Sequence, residues 1–137
     1  MPNDGRDVSG WLFSRDHDHG LGTSGDHLGI GGKSANTGRL VFFHGGDPAA
    51  AVAGKNEVPR WQWQQVVLVR DGDAVRAYLN GQLEIEMKSA ANFPAGFGQC
   101  FFGGRSDNDS NWEGRLDEIA VFDRALSAEE VAKLTAK

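Results

Sequence analysis

The polar run SDNDSNWE near the C-terminus holds the side chains whose types and spacing best fit metal chemistry. Its candidate ligands are Asp107, Asp109, Asn111 and Glu113. Oxygen-bearing side chains at alternate positions of a loop are the arrangement that wraps Ca²⁺. The helical calcium loop is not matched, because Trp112 stands where that loop requires glycine. The run therefore predicts a Ca²⁺ site, and the alternative is a long connection built from good turn formers.

The same loop also has the chemistry of a carbohydrate site. Trp112 lies among polar residues and offers an indole face, while Asn108 and Asn111 offer amides for hydroxyl groups. Trp61 stands two residues before Trp63, so the two share one face if this segment is a strand. We expect Trp63 in the core, because large aromatic side chains are usually buried. Trp112, Asn108, Asn111 and Trp61 are the predicted ligand contacts.

A transition-metal site is an alternative at the segment RDHDHG. His17 and His19 would share a face of a strand, and Asp26 and His27 follow soon after. Two imidazoles and nearby carboxylates are ligands for Zn²⁺ if they converge in space. Clustered Asp, His and Gly after a strand are equally ordinary loop residues.

Catalysis has one candidate, the carboxylates of LEIEMK. Glycoside hydrolases place two carboxyl groups across the scissile bond. Alternation puts Glu84 and Glu86 on the solvent face of a strand beside Lys88, which favours a solvated surface. The sequence also lacks a Gly-x-Ser-x-Gly elbow. We therefore predict that the protein is not an enzyme.

Length and composition favour a single domain over residues 1–137, with 39% hydrophobic and 24% charged residues. The net charge of −5 and the scattered basic residues argue against a nucleic-acid or membrane partner. No apolar run approaches the roughly 20 residues of a membrane-spanning helix, and the N-terminus does not resemble a signal peptide. The single cysteine, Cys100, adjoins two phenylalanines, so we expect a buried, inert thiol.

Short strands joined by glycine-rich turns are predicted along most of the chain. Besides a central meander, the predicted strands are Val8–Arg15, Asp26–Gly31, Gly38–Gly45, Gln99–Gly104 and Gly114–Asp123. In the last of these, Asp117 shares a side with Ile119 and Val121. If that side faces the core, we expect Asp117 to be a hydrogen-bonded structural anchor.

The central meander has the clearest pattern. Asp71-Gly72 and Asn80-Gly81 are hairpin turn dipeptides, so three antiparallel strands should follow one another. The apolar residues alternate in the second and third of these strands, which predicts one core face for each. Residues 66–69 are apolar at odd and even positions alike, so both faces of this strand should be buried. This predicts a central strand covered on both sides.

The C-terminal segment predicts a short helix. Ser127 and Glu130 have the spacing of a capping box. Leu126 and Val131 stand at the positions of a hydrophobic staple. The apolar stripe is narrow, so the helix should dock on the sheets and not stand alone.

Two motifs resemble a known family. WQQVVLVRDGDAVRAYLNGQLE and EGRLDEIAVFDRALSAEEVAKL are similar to the core and the ending of laminin-G-like domains of the concanavalin A-like lectin and glucanase superfamily. The resemblance implies an all-β, jelly-roll β-sandwich of two antiparallel sheets with a short C-terminal helix. It also implies an extracellular or cell-surface binding module.

One departure from the family affects the partners. The family opens with further strands ahead of the segment WLFSRDHDHG, and these strands are not apparent here. Open edges and an incomplete core favour association. We therefore expect a homo-oligomer in which another copy completes the sandwich. The resulting hypothesis is a non-catalytic module that recognises a glycan or a protein surface through rim loops, assisted by Ca²⁺, and the alternative is a self-associating structural fragment.

Overall fold

The chain forms two antiparallel β-sheets and one short α-helix in a computed structural model that describes residues 8–15, 25–45, 51–90, 99–105 and 110–135. The strands are β1 Val8–Arg15, β2 Asp26–Gly31, β3 Arg39–His44, β4 Val52–Glu57, β5 Val66–Asp71, β6 Ala74–Leu79, β7 Gln82–Lys88 and β8 Cys100–Phe102. A 3-10 helix spans Ser34–Asn36, and helix α1 spans Ala128–Thr135. Within these ranges no helix has the length and apolar character needed to cross a membrane.

The two sheets pack face to face. The five-stranded sheet has the order β4-β3-β2-β1-β8, and the three-stranded sheet has the order β5-β6-β7. The inter-sheet core consists of Leu28, Ile30, Leu40, Phe42, Val75, Ala77, Leu79 and Ile85. Side chains of both sheets alternate into this layer, which is how a sandwich excludes water. The predicted all-β sandwich with a C-terminal helix is confirmed.

The meander of β5, β6 and β7 forms as predicted. Both Asn80 and Gly81 have positive φ angles, 50° and 82°, as a type I′ turn requires. At the other turn only Gly72 has a positive φ, 57°, and the residues between the strands are Gly72 and Asp73. β5 is covered on both faces as expected, but it lies at the edge of the three-stranded sheet and β6 is central.

A β-bulge in β7 overturns the predicted alternation of that strand. The register with β6 shifts where Tyr78 pairs with Leu83 while Ala77 pairs with Ile85. Leu83 consequently packs in the cluster under helix α1, whereas Ile85 lies in the inter-sheet core. An extra residue in one strand reverses the faces beyond it. Glu84, predicted on the solvent face, is therefore buried, with 5% of its surface exposed.

The prediction missed one strand and placed another where the described residues form none. β4 was not anticipated, because its sequence VAGKNE does not alternate: Val52, Ala53 and Gly54 are followed by three polar residues, as suits an edge strand with exposed residues. Gly114–Asp123 was expected to be a strand, but it contains no strand residue and every residue from 113 to 124 is exposed. Asp117 is therefore no buried anchor, and its carboxylate accepts a hydrogen bond from the adjacent amide of Glu118.

Helix α1 forms a third layer on the three-stranded sheet. Leu126 and Val131 are buried together with Val69 and Tyr78, as the staple pattern predicts. The amide of Glu130 donates to the hydroxyl of Ser127 over 3.1 Å, which satisfies one free amide of the first turn. The helix thereby covers the part of the outer face formed by Val67, Val69, Tyr78 and Leu83.

A second cluster lies on the other face of the five-stranded sheet and consists of Val8, Trp11, Val41 and Phe43. His27 is fully buried there, with its ring stacked on Phe43 at 4.5 Å. The guanidinium of Arg105 lies 4.8 Å from the Trp11 ring centre. Cys100, at the start of the edge strand β8, is exposed, so the expectation of a buried thiol was wrong.

Candidate functional site

The connection between β4 and β5 presents two exposed tryptophans. Trp61 is 96% exposed and Trp63 is 66% exposed. Trp63 was expected in the core, so the structure corrects that expectation. The intervening Gln62 is also exposed, and its side chain makes no hydrogen bond with any described residue. We call Trp61, Gln62 and Trp63 the tryptophan platform.

The platform stands on a braced loop. The side-chain carbonyl of Asn80 accepts from the amide of Gln65 at 2.8 Å, and its Nδ2 donates to Oε1 of Gln64 at 2.6 Å. The amide of Asn80 donates to the carbonyl of Gln65 at 2.8 Å. The same residue that shapes the turn between β6 and β7 therefore also holds the C-terminal end of the loop.

Helix α1 supplies a second attachment. Nε2 of Gln65 donates to the carbonyl of Leu134 at 3.2 Å, and the hydroxyl of Thr135 donates to Oε1 of Gln65. The loop is thus held from the turn of the meander and from the end of the helix. A loop held in this way loses little conformational entropy when a ligand binds.

Trp61 has an uncommon backbone conformation, with φ at 67°. A bulky residue in the left-handed region is strained, and such strain is concentrated at functional sites. Burial of the ring does not account for it, because the side chain is almost fully exposed. The backbone therefore holds the indole out into solvent.

The polar loop near Trp112 is only partly within the described residues. Asp107, Asn108 and Asp109 lie outside them, so the predicted metal ligands and amide there have no structural account. Asn111 and Glu113 are exposed.

Trp112 is not the exposed platform that the sequence predicted. Its ring is half-buried and packs against the inter-sheet core. Its Nε1 is buried and has no hydrogen-bond partner among the described residues. The structure therefore places the most exposed indoles at the other connection, where the sequence analysis had named only Trp61.

The described residues do not by themselves assemble a metal centre. No group of three or more His, Cys, Asp or Glu side chains comes together in the ranges that the structure covers. Asp26 and His27, named for a zinc site, point to opposite faces of β2. Asp26 binds Arg70 across the sandwich, while His27 stacks on Phe43 in the outer cluster.

Asp26, His44 and Arg70 form a buried ionic network that joins the two sheets. Nε and Nη2 of Arg70 each donate to one carboxylate oxygen of Asp26 at 2.7 Å. Nδ1 of His44 lies 2.8 Å from Oδ1 of Asp26. Nη1 of Arg70 also donates to the carbonyls of Gly72 and Ser89. Both carboxylate oxygens thus have buried partners, and the network ties the two sheets together.

The carboxylate of Glu84, the candidate for catalysis, is likewise occupied by hydrogen bonds within the fold. One oxygen accepts from the amides of Lys55 and Asn56 at 2.7 and 3.0 Å, and the other accepts from the Asn56 side chain at 3.0 Å. Burial acts to raise the pKa of Glu84, but these hydrogen bonds and the charge of Lys55 outweigh it and lower the pKa. Glu84 therefore holds the edges of β7 and β4 together as a carboxylate.

The remaining candidate surface is the stretch 113–124, which we call the apolar segment. Its large apolar residues are exposed: Leu116 by 39%, Ile119 by 52%, Val121 by 76% and Phe122 by 50%. Contiguous exposed apolar side chains mark interaction sites. The segment runs from the edge of the five-stranded sheet, where the amide of Trp112 donates to Gly103, to the buried Leu126.

The two stacked antiparallel sheets with a short C-terminal helix have the architecture of a concanavalin A-like β-sandwich. A family model described as the concanavalin A-like lectin/glucanases superfamily, of the laminin G type, matches residues 4–132. The chain belongs to this family.

A solved structure agrees with the fold. Part of an S-layer domain-containing protein from Clostridium thermocellum is similar, with a TM-score of 0.51 and 20% sequence identity. The match covers 96% of this chain and 64% of that one, so the chain spans less than two thirds of the similar structure. No curated protein matches the sequence.

Proposed function

We propose that this domain is a non-catalytic recognition module that binds carbohydrate on the tryptophan platform. The observation that carries the proposal is the pair of exposed indoles, Trp61 and Trp63, on one braced loop. An indole face offers an apolar surface on which the C–H face of a sugar ring stacks. Gln62 between them offers an amide donor and acceptor for hydroxyl groups.

The bracing by Asn80 and Gln65 supports binding further. The entropy of ordering a mobile loop opposes association, and a loop already held by hydrogen bonds avoids most of that cost. The strained φ of Trp61 fits the same account, because the backbone presents the ring before a ligand arrives.

A non-catalytic role is supported by the state of the carboxylates. Glu84 is buried and its oxygens accept three hydrogen bonds, while Glu86 is exposed on the same strand. A glycosidase needs two carboxyl groups facing one bond from opposite sides. These two glutamates do not meet that requirement.

We also propose an extracellular or cell-surface location. The laminin G-like family match and the similar structure, which is named as part of an S-layer domain-containing protein, support this part of the proposal.

The test measures polysaccharide binding by affinity electrophoresis and by the change in tryptophan fluorescence. We expect a member of a panel of β-glucan, cellulose, xylan and chitin fragments to bind. Trp61→Ala and Trp63→Ala should each weaken binding by about tenfold or more. Phe122→Ala, which removes an exposed aromatic ring elsewhere, is the matched control and should leave binding unchanged. The platform is wrong if no glycan binds, or if Trp61→Ala binds as tightly as the unaltered protein.

A further inference from the structure

The apolar segment has features that platform binding leaves unexplained. All of its residues are exposed, and it forms no strand although it contains the apolar run from Ile119 to Phe122. Arg115 and Asp123, near its two ends, make no hydrogen bond or ion pair with any residue that the structure describes. Exposed backbone and apolar side chains together form a template for pairing with another strand.

The segment is complementary to itself in one antiparallel register. If Ile119 lies opposite Ile119 of a second copy, Leu116 faces Phe122 and Arg115 faces Asp123. Both relations occur twice, because a two-fold axis relates the copies. Directly opposite pairs of apolar residues and of opposite charges are the pairs that stabilise antiparallel strands.

The neighbouring registers lack this match. Shifting one strand by two residues in one direction places Asp117 opposite Asp123. Shifting it by two in the other direction places Glu118 opposite Glu118 of the other copy. Like charges directly opposite destabilise a ladder. A shift by one residue separates Arg115 from Asp123 and places it opposite Phe122 or Arg124. The charges therefore favour the register centred on Ile119 over these neighbours. A register centred on Val121 would place Glu118 opposite Arg124, but Arg124 is already paired with Glu130.

The backbone of the isolated chain explains why the segment is not already a strand. Glu118 has φ at 51°, and the carboxylate of Asp117 accepts from its amide at 2.8 Å. A left-handed residue interrupts an extended strand and is strained for glutamate. Pairing with a second strand would return Glu118 to the extended region and relieve this strain.

We propose that a second copy of this chain binds the apolar segment, and that the two segments form an antiparallel ladder centred on Ile119. The proposal is independent of the tryptophan platform, because it uses none of the same residues. Two strands of this length form a small interface, and interfaces of that size are weak and transient. Dimerisation should therefore depend on concentration, with a dissociation constant of roughly 10 to 100 µM.

The first experiment measures mass by sedimentation equilibrium between about 5 µM and 1 mM. We expect the average mass to rise from monomer toward dimer over this range. Ile119→Arg should abolish the rise, because it places two like charges at the two-fold axis. Val52→Arg, at an exposed apolar residue of β4, is the matched control and should dimerise normally. A monomer at all concentrations, or a dimer that tolerates Ile119→Arg, overturns the proposal.

The second experiment tests the register. Arg115→Glu should weaken the dimer by about tenfold or more, because it creates two repulsive pairs with Asp123. The double variant Arg115→Glu with Asp123→Arg restores opposite charges and should recover the original affinity. If the double variant is as weak as Arg115→Glu alone, the register is wrong.

Cross-linking gives a readout that does not depend on affinity. In a Cys100→Ser background, Ile119→Cys should form a disulfide-linked dimer under mild oxidation. Opposite residues in an antiparallel pair have Cα atoms about 4.5 to 5.5 Å apart, within the range of a disulfide. Val52→Cys in the same background should not cross-link. Equal cross-linking of both variants would contradict the specific pairing.

Discussion

The meander of β5, β6 and β7 and the apolar segment carry the same kind of sequence and end in opposite states. Both contain apolar residues flanked by charged ones, and the family resemblance covers both. In the meander Val75 and Ala77 are fully buried, whereas in the apolar segment Ile119 and Val121 are mostly exposed. The difference lies in the neighbours. β6 has a strand on each side, while the apolar segment has none among the described residues.

A run of apolar residues is therefore not a sufficient cause of a strand. A strand also needs a partner for its backbone groups and a surface for its apolar face. Hairpin turns place those partners next to each other in the meander. The apolar segment follows a long loop, so a partner has to come from elsewhere.

The largest loss of stability should come from a substitution in the ionic network, which includes Arg70 of the meander. Arg70→Met removes the two guanidinium donors from the buried carboxylate of Asp26 and leaves only the contact with His44, so the free energy of unfolding should fall by about 3 to 5 kcal/mol. Urea denaturation measures this loss. Arg60→Met, at an exposed arginine, should change the free energy by less than about 0.5 kcal/mol. Equal effects would show that the network does not tie the sheets.

The next comparison matches two leucines, one from each kind of environment. Leu126→Ala should destabilise the protein by about 2 to 4 kcal/mol, because its buried side chain packs with Val131 under the helix. Leu116→Ala, in the apolar segment, should cost less than about 0.5 kcal/mol in dilute protein. Thermal and urea unfolding of both variants test this, and similar losses would place the segment inside the folded body.

A smaller effect with a pH signature is expected at Glu84. The folded pKa lies below the ordinary value of 4.5, so the carboxylate stabilises the fold above pH 4.5 and this contribution disappears as pH falls through the folded pKa. Glu84→Gln should cost about 1 to 3 kcal/mol at neutral pH. The difference from the unaltered protein should shrink at lower pH. Glu86→Gln, at the exposed neighbour, is the control, and a pH-independent difference would contradict the account.

The smallest expected effect concerns Ca²⁺ at the polar loop, which remains a prediction from the sequence. Calcium at about three times its dissociation constant should stabilise the fold by about 0.8 kcal/mol and raise the melting temperature by a few degrees. Asp107→Ala and Asp109→Ala should remove the shift, while Asp117→Ala, at an exposed carboxylate of the apolar segment, should retain it. An unaltered protein with the same melting temperature in calcium and in chelator has no such site.

The sequence predicted the elements whose partners are close along the chain. β1, β2, β3, the meander and the capped helix follow from alternation, turn dipeptides and the spacing of Ser127 and Glu130. These signals are local, since each depends on residues a few positions apart.

The features that the sequence missed depend on distant contacts. The bulge beside Glu84 follows from the need to satisfy amides of β4, which is 28 residues away along the chain at Asn56. Trp63 is exposed next to Gln64 and Gln65, whose hydrogen bonds reach Asn80 in the turn between β6 and β7. No pattern in the neighbouring residues reports either contact. Of the two exposed tryptophans in the platform, the sequence therefore predicted only Trp61 as a ligand contact.

Amide hydrogen exchange at several protein concentrations tests most directly the division between a closed body and a segment that pairs with a second copy. We predict that the amides of β6 are protected at every concentration. The amides of residues 115–123 should exchange rapidly in dilute protein and gain protection as the concentration rises. Strong protection of residues 115–123 in dilute protein, or rapid exchange at all concentrations, would contradict this account.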